Sequence, residues 1–263
     1  MPKISIITIN KNNSSGLKRT IESVIYQKKC DFEFIVIDGK SNDGSLDIIH
    51  EFSTSISFWR SELDSGIYNA MNKGASLASG DFLLFLNSGD ILYSSDTLFL
   101  ISEQIIQHVD SELISGDLHV VNHDGGTQYF RSPENPDVSF LLEKYLSHPS
   151  TLIKRAFFLI NGGYDESFEI VGDYAFFYLA IQKARYSKID LIISTHYMDG
   201  VSNSKAHSLK HQIERLKAIE KYTPDIYLAT IHEYLRLKKY DSFISFVGSL
   251  SNLMRKFGLI SKR

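Results

Sequence analysis

The hydrophobic and polar residues of the first 90 positions alternate between two patterns. Four short runs of β-branched and aromatic residues have the composition of strands buried on both faces, at residues 3–10, 32–37, 56–59 and 81–86. Between these runs, apolar residues recur at helical spacing within 17–25, 46–52 and 67–78, with Ser14 or Ser15 as the predicted N-cap of the first helix. This alternation predicts βαβ units and a mostly parallel sheet.

The second half of the chain is less regular. Two strands are predicted at residues 113–121 and 127–130, joined as a hairpin through the turn at 123–126. A helix is predicted at 173–184 and a strand at 188–194, and after residue 204 the pattern is helical to the end. We therefore predict one α/β domain over residues 1–203 and a helical C-terminal extension over residues 204–263.

Composition narrows the class of protein. Hydrophobic residues make up 43% of the 263 positions and charged residues 22%, which fits a globular chain with a sizeable core and excludes a disordered one. The longest apolar runs fall far short of the roughly 20 residues that a membrane span needs, and no basic and apolar leader precedes Ile4. A single cysteine cannot form an internal disulfide, and a net charge of −3 argues against a dedicated nucleic-acid binder. These features predict a cytoplasmic protein.

Polar residues follow the predicted strands at the points where the strands end. Thr8 and Asn10 close the first strand and Asp38 follows the second, while Asp64 comes after the third and residues 87–90 after the fourth. An acidic residue in such a place is often a helix cap. In open α/β sheets, however, ligands bind beyond the carboxyl ends of the parallel strands. The repetition over four strands therefore predicts a ligand site at that edge of the sheet.

The common nucleotide-binding motifs are absent from the sequence. It has neither a Gly-x-x-x-x-Gly-Lys-Ser/Thr loop nor a Gly-x-Gly-x-x-Gly turn after the first strand, where residues 10–13 read NKNN. Gly-x-Ser-x-Gly is absent as well, and one cysteine cannot supply a Cys-His metal cluster. What remains is a nucleotide site that relies on carboxylates and a metal ion.

Several sequence blocks occur together in a fixed order. They read ISIITIN at residues 4–10, FIVIDGKSNDGS at 34–45, ELDSGIYNAMNKG at 62–74, ASGD at 78–81 and LFLNSGD at 84–90. These blocks resemble family-2 inverting glycosyltransferases with the GT-A fold, and the match extends in ordered blocks over about residues 3–200. The resemblance implies a Rossmann-like α/β domain and a nucleotide-sugar donor, most often a uridine diphosphate (UDP) sugar.

The same resemblance assigns donor contacts to individual residues. The expected donor-binding residues lie near the ends of the first four strands and are Thr8, Asn10, Asp38, Asp64, Asn72, Lys73, Ser88 and Gly89. Asp38 is expected to accept a hydrogen bond from the uracil imide N–H, with Thr8 and Asn10 beside the base and ribose. Asp64, Asn72 and Lys73 are expected on the ribose and diphosphate side, although Lys73 is as readily explained as a solvated helix residue.

Residues 87–90 occupy the place of the family's Asp-x-Asp metal motif. A leaving diphosphate carries concentrated charge, which Mg²⁺ or Mn²⁺ with oxygen ligands neutralises. Here Asn87 replaces the first Asp and Gly89 the next acidic residue, so Asp90 is the metal ligand that the resemblance supports. A cofactor of Mn²⁺ or Mg²⁺ is therefore expected to be held mainly by the diphosphate.

Inversion at the anomeric carbon needs one base that takes the proton of the acceptor hydroxyl. In the family this base lies at the start of a helix, behind a Gly-Gly-Tyr/Phe-Asp-Glu segment that matches residues 162–166. Asp173 is in the corresponding place and is the expected catalytic base, with a plain N-cap of the following helix as the alternative. His148 begins an HPST segment that matches the family near the acceptor side. It is expected at the boundary between donor and acceptor, with an ordinary loop histidine as the alternative.

The C-terminal extension carries one apolar stripe at helical spacing within residues 240–258, flanked by lysines and arginines. Two interpretations stay open for it. The helix packs on the body of the protein or on the partner subunit of a homodimer, or it lies on anionic lipid at the cytoplasmic face of the inner membrane. His207 and His211 have a helical spacing that can hold a metal, but a solvated helix face is the favoured interpretation.

The resemblance implies a metal-dependent inverting hexosyltransferase that moves a sugar from a nucleotide diphosphate donor to a glycan acceptor. The expected acceptor is a lipid-linked oligosaccharide of surface polysaccharide, lipopolysaccharide or O-antigen assembly. One alternative is a nucleotidyltransferase, which usually has a Gly-rich basic loop that residues 10–15 do not provide. The other is an inactive nucleotide-sugar-binding module, which the reduced metal motif favours and the presence of both Asp90 and Asp173 opposes.

Overall fold

The computed structural model describes residues 2–198 and 205–237, with side chains from residue 210 onward in the second range. The chain divides into two compact units, Met1–Ala218 and Ile219–Arg263. In the second unit, residues 225–237 are helical. The predicted apolar stripe at 240–258, the side chain of His207 and the boundary between residues 203 and 204 lie outside the described residues, so these predictions stay predictions. Within the described ranges, no helix is both long and apolar enough to cross a membrane.

Strands and helices alternate in the first half of the chain, as the sequence predicts. They are β1 (Ile4–Asn10), α1 (Ser14–Ile25), β2 (Phe32–Asp38), α2 (Ser45–Glu51), β3 (Phe58–Ser61), α3 (Ile67–Leu77) and β4 (Phe82–Phe85). The β-branched and aromatic side chains of β1, β2 and β4 are buried almost throughout. This burial is typical of strands that are covered on both faces of a sheet.

The second half adds shorter and less regular elements. They are β5 (Ile91–Leu92), α4 (Thr97–Ile105), β6 (Leu113–Val121), β7 (Thr127–Phe130), α5 (Val138–Glu143), β8 (Thr151–Lys154), α6 (Arg155–Ile160), α7 (Gly172–Ala180), β9 (Tyr186–Tyr197) and α8 (Lys205–Tyr222). The predicted hairpin is confirmed as the antiparallel pair β6–β7.

Several predicted boundaries are corrected by the structure. The N-cap of α1 is Asn13 rather than Ser14 or Ser15, because the Asn13 side chain accepts from the backbone N–H of Gly16. β3 begins two residues later than predicted, and α7 ends at Ala180 because the following residues form a turn on its last carbonyl. β9 extends beyond 188–194 because it pairs with β6 along one edge and with β5 along the other.

The strands form one mixed sheet in the order β3-β2-β1-β4-β8-β6-β9-β5, with β7 paired to β6. β3, β2, β1 and β4 run parallel, and β6 runs parallel to β9. β8 is antiparallel to both of its neighbours and so joins the two parallel parts. The predicted α/β class with a mostly parallel central sheet is confirmed.

The register of the parallel strands brings their carboxyl ends to one edge of the sheet. Asn10 lies opposite Asp38, and Asp38 lies opposite Ser61. α3 packs closely on β1 at Gly74, where a Cβ would collide with the side chain of Ile7. The polar residues that end β1, β2 and β3 therefore meet in one place.

Candidate functional site

A buried carboxylate lies at the common end of β1, β2 and β3. Asp38 is fully buried and accepts from Asn10 Nδ2 at 2.8 Å, from the backbone N–H of Ser41 at 2.9 Å, and from the hydroxyls of Ser41 and Ser61 at 2.6 Å each. Burial would raise the pKa of Asp38, but these hydrogen bonds outweigh it and hold the pKa below its usual value. The carboxylate is therefore ionised at neutral pH, and its lone pairs are occupied.

Asn10, beside this carboxylate, has one polar atom without a partner. Its Nδ2 faces Asp38 Oδ1 and Ser41 Oγ, which determines the orientation of the amide. Its Oδ1 is buried and has no hydrogen-bond partner among the described residues. A buried acceptor without a donor costs free energy, so this oxygen is available to a ligand N–H or O–H.

Thr8 and Asp64 take different places around this network. Thr8 is fully buried, and its hydroxyl donates to the backbone carbonyl of Leu86 at 2.7 Å. Its side chain thus ties β1 to the segment after β4. The carboxylate of Asp64 lies against Gly39, so near that a Cβ at residue 39 would meet it. Asp64 therefore stands beside the turn that follows β2.

Asn72 and Lys73 of α3 make their polar contacts within the protein. Asn72 Nδ2 donates to the carbonyl of Tyr164 at 2.8 Å and to Glu166 at 2.9 Å, and its Oδ1 accepts from the backbone N–H of Tyr164. Lys73 pairs with Glu62 at 2.8 Å. Asn72 thus anchors the loop that leads to α7, and Lys73 has to leave Glu62 to reach a ligand.

The loop after β4 turns around Thr20 of α1. The backbone N–H of Gly89 donates to Thr20 Oγ1 at 2.9 Å, and this hydroxyl lies 2.7 Å from the carbonyl oxygen of Asp90. Ser88 is held to Asn13 through both its hydroxyl and its carbonyl oxygen. The backbone of residues 88–90 is therefore fixed by α1.

The carboxylate of Asp90 meets the imidazole of His196. β5 pairs with the antiparallel strand β9, and Ile91 lies opposite Thr195. Asp90, just before Ile91, therefore lies next to His196, just after Thr195. Asp90 Oδ1 lies 2.6 Å from His196 Nδ1, with 8% of the Asp90 side chain and 46% of the His196 side chain exposed. His196 has no recognisable role in the sequence, because only this strand pairing makes the two residues neighbours.

Four side chains form one hydrogen-bonded chain between the loop after β4 and the start of α7. Asn87 Nδ2 lies 3.3 Å from His148 Nε2, and His148 Nδ1 lies 3.0 Å from Asp173 Oδ2. The hydroxyl of Tyr68, on α3, lies 2.9 Å from Asp173 Oδ1. The structure thus brings two predicted residues, His148 and Asp173, into direct contact. Tyr68 was missed, since a tyrosine in a helical stripe has the pattern of a core residue.

Asp173 is the second residue of α7 and not its N-cap, which is Val171. The segment in front of α7 is held by Glu214 of α8, a buried carboxylate that accepts from the backbone N–H groups of Glu169, Ile170 and Val171 at 2.8 to 3.3 Å. This contact determines where α7 begins and hence where Asp173 lies. The sequence carries no signal for it, because a glutamate on a polar helix has the pattern of a solvated residue.

The contacts of Asp173 determine its ionisation. Burial would raise its pKa, but the hydrogen bond and charge of His148, the hydrogen bond of Tyr68 and the backbone N–H of Tyr174 together hold the pKa below its usual value. Burial and the nearby Asp173 charge raise the pKa of Tyr68, so its hydroxyl stays protonated. Asp173 is therefore a carboxylate at neutral pH, with a donor beside each oxygen.

A cavity of about 340 Å³ opens beside Asp173. Its polar lining includes His148, Asp173 and Arg215, and the Arg215 guanidinium stacks 4.6 Å from the centre of the Tyr174 ring. Its apolar lining includes Leu118, Phe130, Tyr145, Leu146, Ile170 and Tyr174. This volume and this mixture of apolar walls with a few polar groups are typical of small-ligand sites.

Comparison with known proteins gives concordant matches in sequence and in structure. Residues 5–155 match the family described as Glycosyl transferase family 2. A PGL/p-HBAD biosynthesis glycosyltransferase of Mycobacterium bovis is 32% identical over 179 residues, which cover 66% of this chain and 68% of that protein.

Two solved structures have a similar fold. S. aureus TarS in complex with UDP-GlcNAc has a TM-score of 0.62 at 18% identity, covering 84% of this chain and 73% of that chain. The mannosyltransferase PcManGT from Pyrobaculum calidifontis, in complex with GDP-Man and Mn²⁺, has a TM-score of 0.63 at 14% identity, covering 88% of this chain and 68% of that chain. At these identities the likeness concerns the fold alone, and it confirms the predicted GT-A architecture.

Replacing Asp38 by Asn should destabilise the fold and weaken its dependence on pH. Two donors face each oxygen of the Asp38 carboxylate. The amide of Asn would place its own NH₂ against two of these donors, which should lower the free energy of unfolding by about 2 kcal/mol at pH 7. Because the folded-state pKa lies below the unfolded value of about 3.9, the ionised carboxylate stabilises the fold above that value. This contribution is lost as the pH falls through the folded-state pKa.

Urea unfolding of the wild type and of Asp38→Asn, at neutral pH and near pH 3, measures this difference. The two free energies of unfolding should approach each other at the lower pH. Asp31→Asn, at an exposed aspartate, is the control and should change the free energy of unfolding by less than about 0.5 kcal/mol. If Asp38→Asn lowered the free energy of unfolding by the same amount at both pH values, this account would be contradicted.

Proposed function

The chain belongs to glycosyl transferase family 2 and is therefore a glycosyltransferase; from this premise we propose that it transfers a sugar from a nucleotide diphosphate to a glycan acceptor, with inversion at the anomeric carbon. The observation that carries the proposal is the hydrogen-bonded chain from Asn87 to Asp173. The family resemblance assigns the donor diphosphate to the loop after β4 and the base to the start of α7. A single histidine spans the distance between them.

The nucleobase is assigned to the edge formed by β1 and β2, and the donor to a UDP-sugar. TarS is bound to UDP-GlcNAc and PcManGT to GDP-Man, which supports a nucleotide-sugar donor in general. Asp38 was expected to accept the uracil N–H, but four hydrogen bonds already occupy its lone pairs. We assign this N–H to Asn10 Oδ1, which is buried and unpartnered among the described residues. Asp38 then holds the Asn10 amide in place, and Thr8 supports the edge from within.

The ribose and diphosphate are assigned to Asp64, Lys73 and the loop of Ser88 and Gly89. Asp64 is half-buried beside the turn after β2. Lys73 is 29% exposed in its side chain, so it can exchange Glu62 for a diphosphate oxygen. Asn72 supports this side of the site through the loop that leads to α7.

Asp90 and His196 fit a loosely held divalent ion. A carboxylate and an imidazole are both ligands that Mn²⁺ accepts, whereas Mg²⁺ favours the carboxylate. Among the described residues, no three or more His, Cys, Asp or Glu side chains come together as a metal-binding group. The remaining ligands would be diphosphate oxygens and water, so the ion would bind together with the donor. When bound, it neutralises the charge of the leaving diphosphate.

Inversion is a single in-line displacement. The acceptor oxygen forms a bond to the anomeric carbon while the bond from that carbon to the diphosphate oxygen breaks, and its electron pair leaves with the diphosphate. A base removes the proton of the acceptor hydroxyl. The family resemblance places the carboxylate on which this proton removal depends at Asp173, and we assign it there, since Asp173 is ionised, lines the cavity and has 25% of its side chain exposed.

The cavity beside Asp173 is assigned to the acceptor. Its lining combines Arg215 and His148 with the aromatic rings of Phe130, Tyr145 and Tyr174, which suits a sugar that is joined to an apolar group. The Mycobacterium bovis relative bears a name from PGL/p-HBAD biosynthesis. We propose a glycan acceptor carried on such an apolar group, as in lipid-linked oligosaccharides of surface polysaccharide assembly.

Asn10→Ala should weaken the binding of UDP by about tenfold, because the imide N–H loses its buried acceptor. The wild type should bind UDP more tightly than CDP, whose N3 carries no hydrogen, by about tenfold or more, and the variant should lose this preference. Titration calorimetry with both nucleotides measures the affinities. Asn135→Ala, at an exposed loop asparagine, is the matched control. Equal binding of UDP and CDP by the wild type would rule out the assignment to Asn10.

Binding of Mn²⁺ should depend on the nucleotide. Electron paramagnetic resonance of free Mn²⁺ should show weak uptake by the protein alone and strong uptake when UDP is present, because protein ligands are few. Asp90→Asn should reduce the uptake in the presence of UDP by about tenfold or more. Asp96→Asn, at an exposed aspartate a few residues away, should leave it unchanged. Tight binding without nucleotide, or equal uptake by both variants, would contradict this metal site.

Asp173→Asn should abolish transfer while donor binding is retained, with a loss of kcat of about 100-fold or more. Release of nucleoside diphosphate from a panel of nucleotide sugars, with Mn²⁺, Mg²⁺ or EDTA, measures turnover, and thermal shifts with the same panel measure binding. A binding module would show shifts and no release in the wild type. A wild type that neither binds nor turns over any nucleotide sugar would refute the proposed function.

A further inference from the structure

His148 lies between the two halves of the proposed site. Its Nε2 faces Asn87 on the donor side, its Nδ1 faces Asp173, and both His148 and Asp173 line the acceptor cavity. We propose, on the basis of the proposed transferase function, that the proton of the acceptor hydroxyl passes to Nε2 of His148. The carboxylate of Asp173 orients the ring and stabilises the imidazolium that forms.

The neighbours of His148 determine which ring nitrogen carries hydrogen. Asp173 is a carboxylate and can only accept, so the facing Nδ1 of His148 carries the hydrogen and donates it to Asp173 Oδ2 at 3.0 Å. In the neutral ring Nε2 then accepts, and it faces Nδ2 of Asn87. The contact between Asn87 and Nε2 is long, at 3.3 Å, so an acceptor hydroxyl can displace it. Nε2 is therefore the ring nitrogen with a lone pair to offer.

Asp173 by itself is a weak proton acceptor. Tyr68 and His148 each place a donor at one of its oxygens, and despite burial these contacts lower its pKa. A general base is most effective when its pKa is near the working pH, and an imidazole is in general a stronger base than a carboxylate. An imidazole oriented by a carboxylate is the arrangement that serves as general base in serine proteases.

The side chain of Asn87 can form a hydrogen bond with Nε2 of His148 in both protonation states of the ring. Its Oδ1 is buried and has no hydrogen-bond partner among the described residues. Once Nε2 carries the transferred proton, rotation of the amide by half a turn brings Oδ1 to that N–H as an acceptor. The same side chain thus donates to the neutral ring and accepts from the imidazolium.

The step is balanced in atoms and charge. The acceptor oxygen bonds to the anomeric carbon, its proton moves to Nε2, and the sugar–diphosphate bond breaks with its electron pair on the diphosphate. The imidazolium and the Asp173 carboxylate then form an ion pair with 21% and 25% of their side chains exposed. The proton leaves to solvent before the next turnover.

The other titratable and charged groups around this pair come from every neighbouring element. They are Tyr68, Tyr145, Tyr164, Tyr174, His196, His211 and Arg215. Burial raises the pKa of all four tyrosines, which therefore stay neutral between pH 5 and 8. Arg215 keeps its charge throughout.

Nitrogen-15 NMR of the histidine rings tests the arrangement without any substrate. At pH 8 the wild-type His148 ring should carry its hydrogen on Nδ1. In Asp173→Asn the ring should change to the Nε2–H form, because the amide oxygen stays with the Tyr68 hydroxyl and the NH₂ faces the ring. His119, which contacts Thr195 Oγ1 on another part of the sheet, is the internal control and should not change. An Nε2–H ring in the wild type would overturn the proposal.

Kinetics test the step itself. His148→Gln should lower kcat by roughly 100- to 10,000-fold and leave the donor KM within about twofold of the wild type. His50→Gln, at an exposed histidine edge-on to Trp59, is the matched control and should keep full activity. Turnover of His148→Gln within about tenfold of the wild type would overturn this step alone. A wild type without turnover on any donor would instead overturn the proposed function, and the step with it.

Discussion

The parallel register of β1, β2 and β3 is the constraint on which the rest of the site depends. It sets Asn10, Asp38 and Ser61 side by side at the carboxyl edge of the sheet. A buried carboxylate is tolerated only when hydrogen bonds replace its hydration, and the register supplies them from the two neighbouring strands and from the turn after β2. A shift of one residue would turn the side chains of Asn10 and Ser61 to the opposite face and leave Asp38 with only the two donors of Ser41 in its own turn.

On the other side of the site, the antiparallel pairing of β8 with β4 brings distant polar residues together. Leu83 pairs with Ile153, so the end of β4 faces the segment just before β8. For that reason Asn87 meets His148 although they are far apart in the sequence. The short pair β5–β9 brings Asp90 to His196 in the same way. Two antiparallel contacts thus place a histidine against each polar end of the loop after β4.

Many polar groups of the site have internal partners that hold the elements together. Asn72 binds the loop that leads to α7, and Glu214 binds the backbone just before α7. Thr20 and Asn13 fix the loop after β4 from α1. Interactions of this kind leave few polar atoms for a ligand, and those few are correspondingly well positioned. Asn10 Oδ1 and the Nε2 of His148 are the two such atoms on which the assignments rest.

The sequence by itself determined the α/β class, most strand positions and the family. These follow from local periodicity and from motif blocks, which depend on neighbouring residues. It also identified Asp38 and Asp90 as residues of interest because polar residues recur at the ends of four successive strands, and the family resemblance added His148 and Asp173. Only the tertiary structure decided their partners: the occupied lone pairs of Asp38, the Asp90–His196 contact and the link from Asn87 through His148 to Asp173. Strand pairing and helix docking create these contacts between distant positions, and no local pattern encodes the distance between two side chains.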